Sequence, residues 1–332
     1  PGMASATDNC DGSPTITWTR SDGAGSLTDP YDSADSPITI TWQAEDDCGN
    51  THTMPQVITV DAENELVVTV ELEPNIDTGN PLPDTLDRCI TFELWDCPGS
   101  STVPAHTLDA VITFDVVAGA PNTAIGTATL EVPCGVYECI TARDKLHTLR
   151  RTDESFGIVG TQYVADFTGD TDTGGDWLLG GNLNDDFFID ILDFGVFSLE
   201  FGNSYPGGGD TTCATAYPHA DISGDGVVTN VGEFTFIQNN FLKTHEANCC
   251  GAAMRFVTSD VFGQPVTNRP LRRISLAELK RRGMGELAVG DLNRDGWLDV
   301  QDMNAFATGV RPQSTQPLMQ PTQNVREARD DR

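Results

Sequence analysis

Residues 291–302 have the sequence DLNRDGWLDVQD, and they set the pattern for the C-terminal half of the chain. Side-chain oxygens stand at positions 1, 3, 5, 9 and 12 of this stretch, and position 7 offers a backbone carbonyl. Ca²⁺ takes six to eight oxygen ligands, and this spacing wraps alternate residues around one ion. Gly296 suits the sharp turn, and Leu298 is predicted to point inward as an apolar plug. The predicted calcium ligands are Asp291, Asn293, Asp295, Trp297 through its carbonyl, Asp299 and Asp302.

Two earlier stretches repeat this pattern with departures, and we number the loops in chain order: loop 1 (182–193), loop 2 (221–233) and loop 3 (291–302). Loop 1 has Phe187 where glycine is expected, and a positive φ there would cost about 1–2 kcal/mol. Loop 2 has Gly232 at position 12, so either Glu233 reaches the ion through its longer side chain or water replaces it. The predicted ligands are Asn182, Asn184, Asp186, Phe188, Asp190 and Asp193 in loop 1, and Asp221, Ser223, Asp225, Val227, Thr229 and Glu233 in loop 2.

An apolar stripe with one spacing follows each loop. The spacing of 0, 3 and 7 places the three side chains of a stripe on one face of a short helix. Loop 3 has no adjacent repeat, so its stripe needs an apolar partner in a distant part of the chain or in a neighbouring molecule. The stripes are Phe194, Phe197 and Phe201 after loop 1, Phe234, Ile237 and Phe241 after loop 2, and Met303, Phe306 and Val310 after loop 3.

A loop with a single exit helix and Asp at position 12 resembles the type I dockerin repeat, over about residues 182–310. The resemblance implies calcium binding and docking onto a cohesin-like partner. Dockerins have two adjacent repeats, whereas loops 1 and 2 of this chain start 39 residues apart and loop 3 starts 70 residues later. The aspartates at 166, 170, 172 and 176 are compatible with two alternatives, a further ion site or a solvated acidic loop.

The N-terminal 62 residues contain Thr/apolar alternation typical of strands, at 15–19, 38–42 and 57–60. With the surrounding Cys10 and Cys48 motifs, they resemble the second half of a hyalin repeat, an Ig-like extracellular module. The resemblance implies an adhesive or spacer role and a Cys10–Cys48 disulfide. The opening strands of the sandwich are missing, so an open sheet edge is expected.

Four further strands are predicted at 66–70, 89–95, 110–117 and 127–132. Their spacing suggests a second β-sandwich with the general look of cohesin or carbohydrate-binding modules. Trp95 lies in a strand, where a core position is favoured over stacking on a sugar. The predicted fold is mainly β with a small α part: a partial Ig-like module at 1–62, a β-sandwich at 63–151, a dockerin/EF-hand-like calcium region at 152–310 and a polar tail at 311–332.

The chain of 332 residues carries a net charge of −31, which argues against nucleic acid and anionic membranes as partners. Residues 269–332 hold 11 of the 19 basic residues and 9 acidic ones, a net charge of +2, which leaves about −33 on the other 268. This end is expected to be solvated on its own, or attracted to the rest of the molecule or to another copy. No apolar run approaches the length that spans a membrane.

Nine cysteines in a β-rich, Lys-poor chain indicate disulfides and an oxidising compartment. Cys134–Cys139 and a bridge from Cys213 to Cys249 or Cys250 are predicted, with Cys89–Cys97 as a further pair. A zinc site that combines Cys213, Cys249 and Cys250 with His219 and His245 is the disfavoured alternative. The odd count leaves one thiol without an internal partner.

The sequence contains no Ser/His/Asp order, nucleophile elbow or phosphate-binding glycine loop, so we expect no enzyme activity. The chain opens with Pro1-Gly2, which suggests processing or a fragment of a longer protein. The predicted function is that of a secreted calcium-binding structural protein that self-assembles into a homopolymer, a fibre or layer at the cell surface. The alternative is a dockerin-type anchoring end of a larger secreted enzyme or carbohydrate-binding protein.

Overall fold

A computed structural model describes most of the chain, which divides into two compact units. The units are Pro1–Glu65 with Glu131–Gly135, and Leu66–Leu130 with Val136–Arg332. The prediction of a mainly β protein is confirmed. The described residues are 4–9, 13–31, 35–60, 63–97, 103–153, 155–205, 212–214, 219–229, 232–245, 249–251, 260, 262–265 and 269–313.

The first unit contains a three-stranded antiparallel sheet, in the order β1 (Thr15–Arg20), β2 (Ile38–Glu45) and β3 (Thr51–Ile58). The strands predicted at 15–19 and 38–42 are confirmed, and the third lies a few residues earlier than predicted. The buried Arg20 guanidinium donates to the carbonyls of Ser26, Asp29 and Pro30, and so holds the loop that connects β1 to β2. Cys10, one partner of the predicted Cys10–Cys48 bridge, lies outside the described residues, and Cys48 is a free, exposed thiol.

One eight-stranded sheet organises the second unit. Its strand order is β10-β11-β4-β7-β6-β5-β8-β9, and β11 runs parallel to β4. All four strands predicted between residues 66 and 132 are present. The strands are β4 (Glu63–Leu72), β5 (Asp84–Trp95), β6 (His106–Val117), β7 (Thr123–Pro133), β8 (Cys139–Arg143), β9 (Arg151–Thr152), β10 (Gly157–Val159) and β11 (Gln162–Phe167).

The sheet continues past the boundary predicted at residue 151. β9 pairs with β8, and β11 pairs with β4, so strands on both sides of residue 151 belong to one sheet and one compact unit. Alternation along β6 explains its two faces: Ile112, Phe114 and Val116 are buried, whereas the residues between them are exposed. β5 is buried on both faces from Arg88 to Trp95, because the region around loop 2 also packs on the sheet.

Each loop leads into the short helix that the apolar stripes predict. Loop 1 leads into α1 (Ile191–Glu200), loop 2 into α2 (Glu233–Asn239) and loop 3 into α4 (Val300–Ala307). Before loop 3 lie β12 (Arg273–Ser275) and α3 (Leu276–Arg281), and β12 pairs with β13 (Trp297–Asp299) of the loop itself. The Ser275 side chain accepts the N–H of Glu278 and so caps α3, as its sequence predicts.

The three exit helices share one aromatic core. Phe306 of α4 lies 4.8 Å from Phe234 of α2 and 5.1 Å from Phe197 of α1, between ring centroids. Phe194 of α1 also contacts Phe234 and Phe306. The loop 3 stripe therefore finds its apolar partner within this chain, although Val310 stays 44% exposed.

Three disulfides fasten the C-terminal half to the sheet, and their pairing differs from the prediction. The bonds are Cys89–Cys213, Cys97–Cys250 and Cys139–Cys249. The predicted Cys89–Cys97, Cys134–Cys139 and Cys213 to Cys249/Cys250 bridges are therefore wrong, as is the zinc alternative, which needs the same thiols. The prediction assumed bridges between cysteines near in sequence, whereas these bonds close loops of 110 to 153 residues.

Trp95 is fully buried against this disulfide cluster. Its ring packs with Cys139 and Cys249, and Cys97 and Cys250 border the same cluster. The adjacent Cys249 and Cys250 thus bridge to two neighbouring parts of the sheet, the strand β8 and the end of β5. A sugar-stacking role for Trp95 is excluded because the side chain is 0% exposed. None of the helices among the described residues has the length and apolar character that a bilayer crossing requires.

The aromatic core predicts a large effect for one substitution. Phe306→Ala should lower the free energy of unfolding by about 3–5 kcal/mol, because it removes a ring that contacts two other exit helices. Val310→Ala in the same stripe is the control, and its 44% exposure predicts a change below about 0.5 kcal/mol. Urea unfolding at saturating calcium measures both, and equal effects would contradict the shared core.

Candidate metal centres

Loops 1 and 3 fold around their position-12 carboxylates in the same way. In both loops the N–H groups of positions 2, 3 and 9 donate to this side chain. Asp193 accepts these bonds at 2.7, 3.3 and 2.7 Å, and Asp302 accepts them at 2.8, 3.1 and 2.9 Å. Asp190 and Asp299 at position 9 cap the exit helices and complete capping boxes with position 12.

Three further hydrogen bonds of loops 1 and 3 also match. The N–H of position 5 donates to the side-chain oxygens of positions 1 and 3, and the N–H of position 7 donates to the position-5 carboxylate. The same scheme forms although seven of the twelve residues differ. In the position-12 aspartates Oδ1 accepts two N–H bonds and Oδ2 accepts one, so Oδ2 keeps a lone pair for an ion.

Loop 2 closes on Glu233 in place of a position-12 aspartate. Glu233 accepts the N–H of Thr229 at 2.8 Å and the hydroxyl of Ser223 at 2.7 Å. Its extra methylene makes up for the one-residue shift, so the carboxylate occupies the place that position 12 has elsewhere. Asp221, Asp225 and Glu233 have carboxyl oxygens within 4.8 Å of one another, the one such trio of acidic, Cys or His groups among the described residues.

All three loops have a left-handed residue at position 4, and loops 2 and 3 have a second one at the position-6 glycines Gly226 and Gly296, with φ 85° and 87°. Asp185, Gly224 and Arg294 have φ values of 53°, 85° and 61°, whereas Phe187 is not at positive φ. In loops 2 and 3 the N–H of the position-6 glycine also donates to the second oxygen of the position-1 aspartate. Asn182 has one side-chain oxygen, so loop 1 does not form this bond, and the expected strain at Phe187 is absent.

The ligand positions are unusually buried for such polar side chains. The position-12 groups Asp193, Glu233 and Asp302 are each 0% exposed. In loop 1 the burial extends to the whole predicted set, with Asn182, Asn184 and Asp190 at 0%. Loop 3 is the most open, since its residues 293–297 are exposed.

Burial raises the pKa values of these carboxyl groups. Desolvation, together with the nearby Asp190 charge, raises the pKa of Asp186 to about 8, and desolvation raises the pKa of Asp190 to about 6. The pKa of Asp193 is raised well above its ordinary value by desolvation and by both neighbours. In loop 2, desolvation raises the pKa of Glu233 to about 7. The donor set is oxygen-only and short of compensating positive charge, and a bound divalent cation would favour its ionised form.

Loops 1 and 2 pair reciprocally through the segments that follow each other's helices. Position 8 of loop 1, Ile189, donates to the carbonyl of Lys243 after α2 and accepts from the N–H of Leu242. Position 8 of loop 2, Val228, donates to Asn203 after α1 and accepts from Gly202. Gly202 and Leu242 both have positive φ, at 86° and 72°. Two repeats 39 residues apart in sequence therefore form one intertwined pair.

Loop 3 replaces that pairing with a strand of its own. β12 supplies the partner for positions 7–9 through the register Ile274↔Leu298. The position-8 side chains Ile189, Val228 and Leu298 are all 0% exposed, so the apolar plug predicted for Leu298 is confirmed and recurs in each loop.

Residues far away in sequence support the loops, and sequence reasoning missed them. Arg88 on β5 donates to the carbonyls of Asp221 and Ile222 at 3.0 and 3.2 Å. The N–H of Asp77 donates to the Ser223 carbonyl at 2.9 Å. The N–H of Leu271 donates to Asp190 at 2.6 Å. These contacts span 81 or more residues, and no motif in the sequence marks them.

The further ion site at residues 166–176 does not assemble. Asp170 caps a short 3-10 helix, Asp172 has an 84% exposed side chain, and Asp176 forms an ion pair with Arg151. These carboxylates are therefore spread over a solvated loop and a salt bridge, and they do not converge on one point.

Known proteins offer no close relative for comparison. No protein-family model matches the chain, and neither a curated protein nor a solved structure does.

The raised pKa values predict a pH dependence for the calcium-free protein. A carboxyl that keeps its proton in the folded state but loses it on unfolding makes stability fall as pH rises from the unfolded to the folded pKa. For Asp186 this window runs from about 4 to about 8, between the ordinary 3.8 and the folded value. With chelator present, Asp186→Asn should therefore lose less free energy of unfolding than the wild type between pH 5 and 8.

Asp295→Asn at the same position of the exposed loop 3 is the matched control for this measurement. Chemical unfolding at several pH values gives the slope for each chain. A wild-type slope that Asp186→Asn leaves unchanged would contradict the burial argument.

Proposed function

We propose that the chain is a non-catalytic extracellular calcium-binding structural protein. In this proposal three calcium ions and three disulfides hold the loop region on the eight-stranded sheet. The observation that carries it is the complete burial of Asp193, Glu233 and Asp302, one in each loop. An ionised carboxylate is costly to bury without a compensating charge, and the described lysine and arginine side chains form no ion pair with these three.

The donor chemistry favours Ca²⁺ over other biological metals. The predicted ligands are carboxylates, amides, hydroxyls and backbone carbonyls, and Zn²⁺ would favour sulfur and nitrogen. Mg²⁺ prefers a tight octahedron that keeps several waters, whereas each of these loops offers six protein oxygens. Helix capping alone would explain the side-chain oxygens at positions 9 and 12, but it does not explain those at positions 1, 3 and 5.

The reciprocal pairing of loops 1 and 2 supports the dockerin-like part of the proposal. Two loop–helix repeats that share one core, with Asp or Glu closing each loop, have the arrangement that the resemblance implies. This observation also favours a second candidate, a dockerin-type anchoring end that docks a larger secreted enzyme or carbohydrate-binding protein onto a cohesin-like partner. The Ig-like assignment of residues 1–62 is likewise a proposal, supported by the antiparallel order of β1, β2 and β3.

The disulfides are compatible with a secreted protein at the cell surface. Self-assembly into a fibre or layer is the further part of the proposal. The loop 3 stripe gives it no support, because Phe306 packs within the chain. What supports assembly is the separation of charge between residues 269–332, which are net positive, and the strongly anionic remainder of the chain.

Calcium removal tests the metal part of the proposal directly. For the full chain, chelator should lower the midpoint of thermal unfolding by on the order of 10 °C relative to millimolar calcium, because each site filled at 100 times its Kd adds about 2.7 kcal/mol. Excess calcium should restore the midpoint, and the same concentration of magnesium should restore less. A midpoint that chelator leaves unchanged would show that the loops are not structural calcium sites.

A further inference from the structure

The exposed cations of the described chain are concentrated around loop 3. Seven Lys and Arg residues are described before residue 269, and five of them are buried. The other two, Lys145 and Lys243, lie beside Asp109 and Asp172. By contrast, six exposed cations occur between residues 269 and 294. We name them the cationic surface: Arg269, Arg272, Arg273, Lys280, Arg281 and Arg294.

The elements around loop 3 hold the cationic surface together. β12 carries Arg273, whose guanidinium stacks 3.7 Å above the Trp297 ring of loop 3. α3 follows β12 directly, and the N–H of Leu276 donates to the Gly296 carbonyl of the loop. Trp297 and Val300 are exposed beside these cations, at 39% and 40%. The surface therefore offers both positive charge and apolar area.

An exposed face of the sheet offers the complement. Asp115 and Val117 of β6 are exposed, and Ile125 of β7 stands directly opposite Asp115. Val111 lies on the same face of β6, and Asp87 stands opposite Thr113. We name this the β6 face: Asp87, Val111, Thr113, Asp115, Val117 and Ile125. It combines two carboxylates with three apolar side chains that are 40% to 51% exposed.

We propose that the cationic surface of one molecule binds the β6 face of a second copy. The two surfaces lie on different elements of the same unit, so the contact joins unlike surfaces, and a contact of that kind repeats into an open filament unless it closes a ring. The partner is another copy because the rest of this chain is strongly anionic, and few exposed cations occur among its described residues. This inference rests on the proposed self-assembly and names the surfaces that carry it.

Calcium should promote this contact. Loop 3 carries four aspartates within the cationic surface, and an ion bound there would offset part of their negative charge. The association should weaken as salt rises, because the charges on both surfaces are exposed and screened.

Charge reversal tests the contact in the full chain with millimolar calcium. Arg272→Glu and Asp115→Lys should each reduce self-association at least about tenfold in sedimentation velocity, which corresponds to about 1.4 kcal/mol. Lys243→Glu and Asp172→Lys change net charge by the same amounts at sites elsewhere on the surface, and they should assemble like the wild type. An equimolar mixture of Arg272→Glu and Asp115→Lys should assemble again, because each reversed surface meets its complement on the other variant.

The outcomes separate this inference from the proposed function. A wild-type chain that stays monomeric in calcium at high concentration overturns both the self-assembly and the contact. A wild type that assembles, with Arg272→Glu and Asp115→Lys no weaker than their controls, overturns the contact alone. A monomeric wild type that binds an anionic polysaccharide through Arg272 assigns the cationic surface to another partner and also overturns it.

Discussion

Withdrawing an ionised carboxylate from water costs much free energy unless a positive charge and hydrogen bonds compensate for the lost hydration. In each of the three loops the carboxylate that closes the turn has no exposed area at all. The same side chain accepts backbone N–H groups of its own loop, so the loop and the start of the exit helix are fixed together. The positions of α1, α2 and α4 follow from this closure, and so does the aromatic core that they share. A cation at each loop would offset the free energy that this burial costs.

The three loops reach this closure with different surroundings. Loops 1 and 2 support each other through Ile189 and Val228, whereas loop 3 relies on β12. Arg88 and the turn after β4 fix loop 2 to the sheet. Gly79 is needed in that turn, because a side chain there would meet the Asp225 carbonyl at 3.2 Å and the backbone has φ 69°. Near the end of β5 and at β8, disulfides fix the C-terminal half to the sheet.

Local patterns in the sequence predicted the parts of this structure that depend on neighbouring residues. Thr/apolar alternation located the strands, and the spacing of Phe194 and Phe197 located the helix after loop 1. The one-residue shift to Glu233 was also visible, because its longer side chain was one of the two predicted replacements for position 12, the other being water. In each case the residues that decide the geometry lie within about one helical turn or one strand of each other.

Long-range pairing was not predictable in this way. Six cysteines allow fifteen connectivities, and the sequence contains no signal that joins Cys97 to Cys250 rather than to Cys89. The reciprocal loop pairing and the Phe194–Phe306 contact depend on how whole elements stack. The strain expected at Phe187 is absent for a chemical reason. The Asn182 amide has one oxygen where aspartate has two, so the left-handed turn that glycine would allow at position 6 does not form in loop 1.

A direct count of bound calcium tests the central claim most sharply. Isothermal titration of the chelator-stripped full chain should give three ions per molecule, and Asp302→Asn should remove one of them without unfolding the others. Loop 3 is the right loop to alter because it is the most exposed of the three. A chain that binds no calcium, or that still binds three ions after Asp302→Asn, would contradict the claim that the buried position-12 carboxylates are calcium ligands.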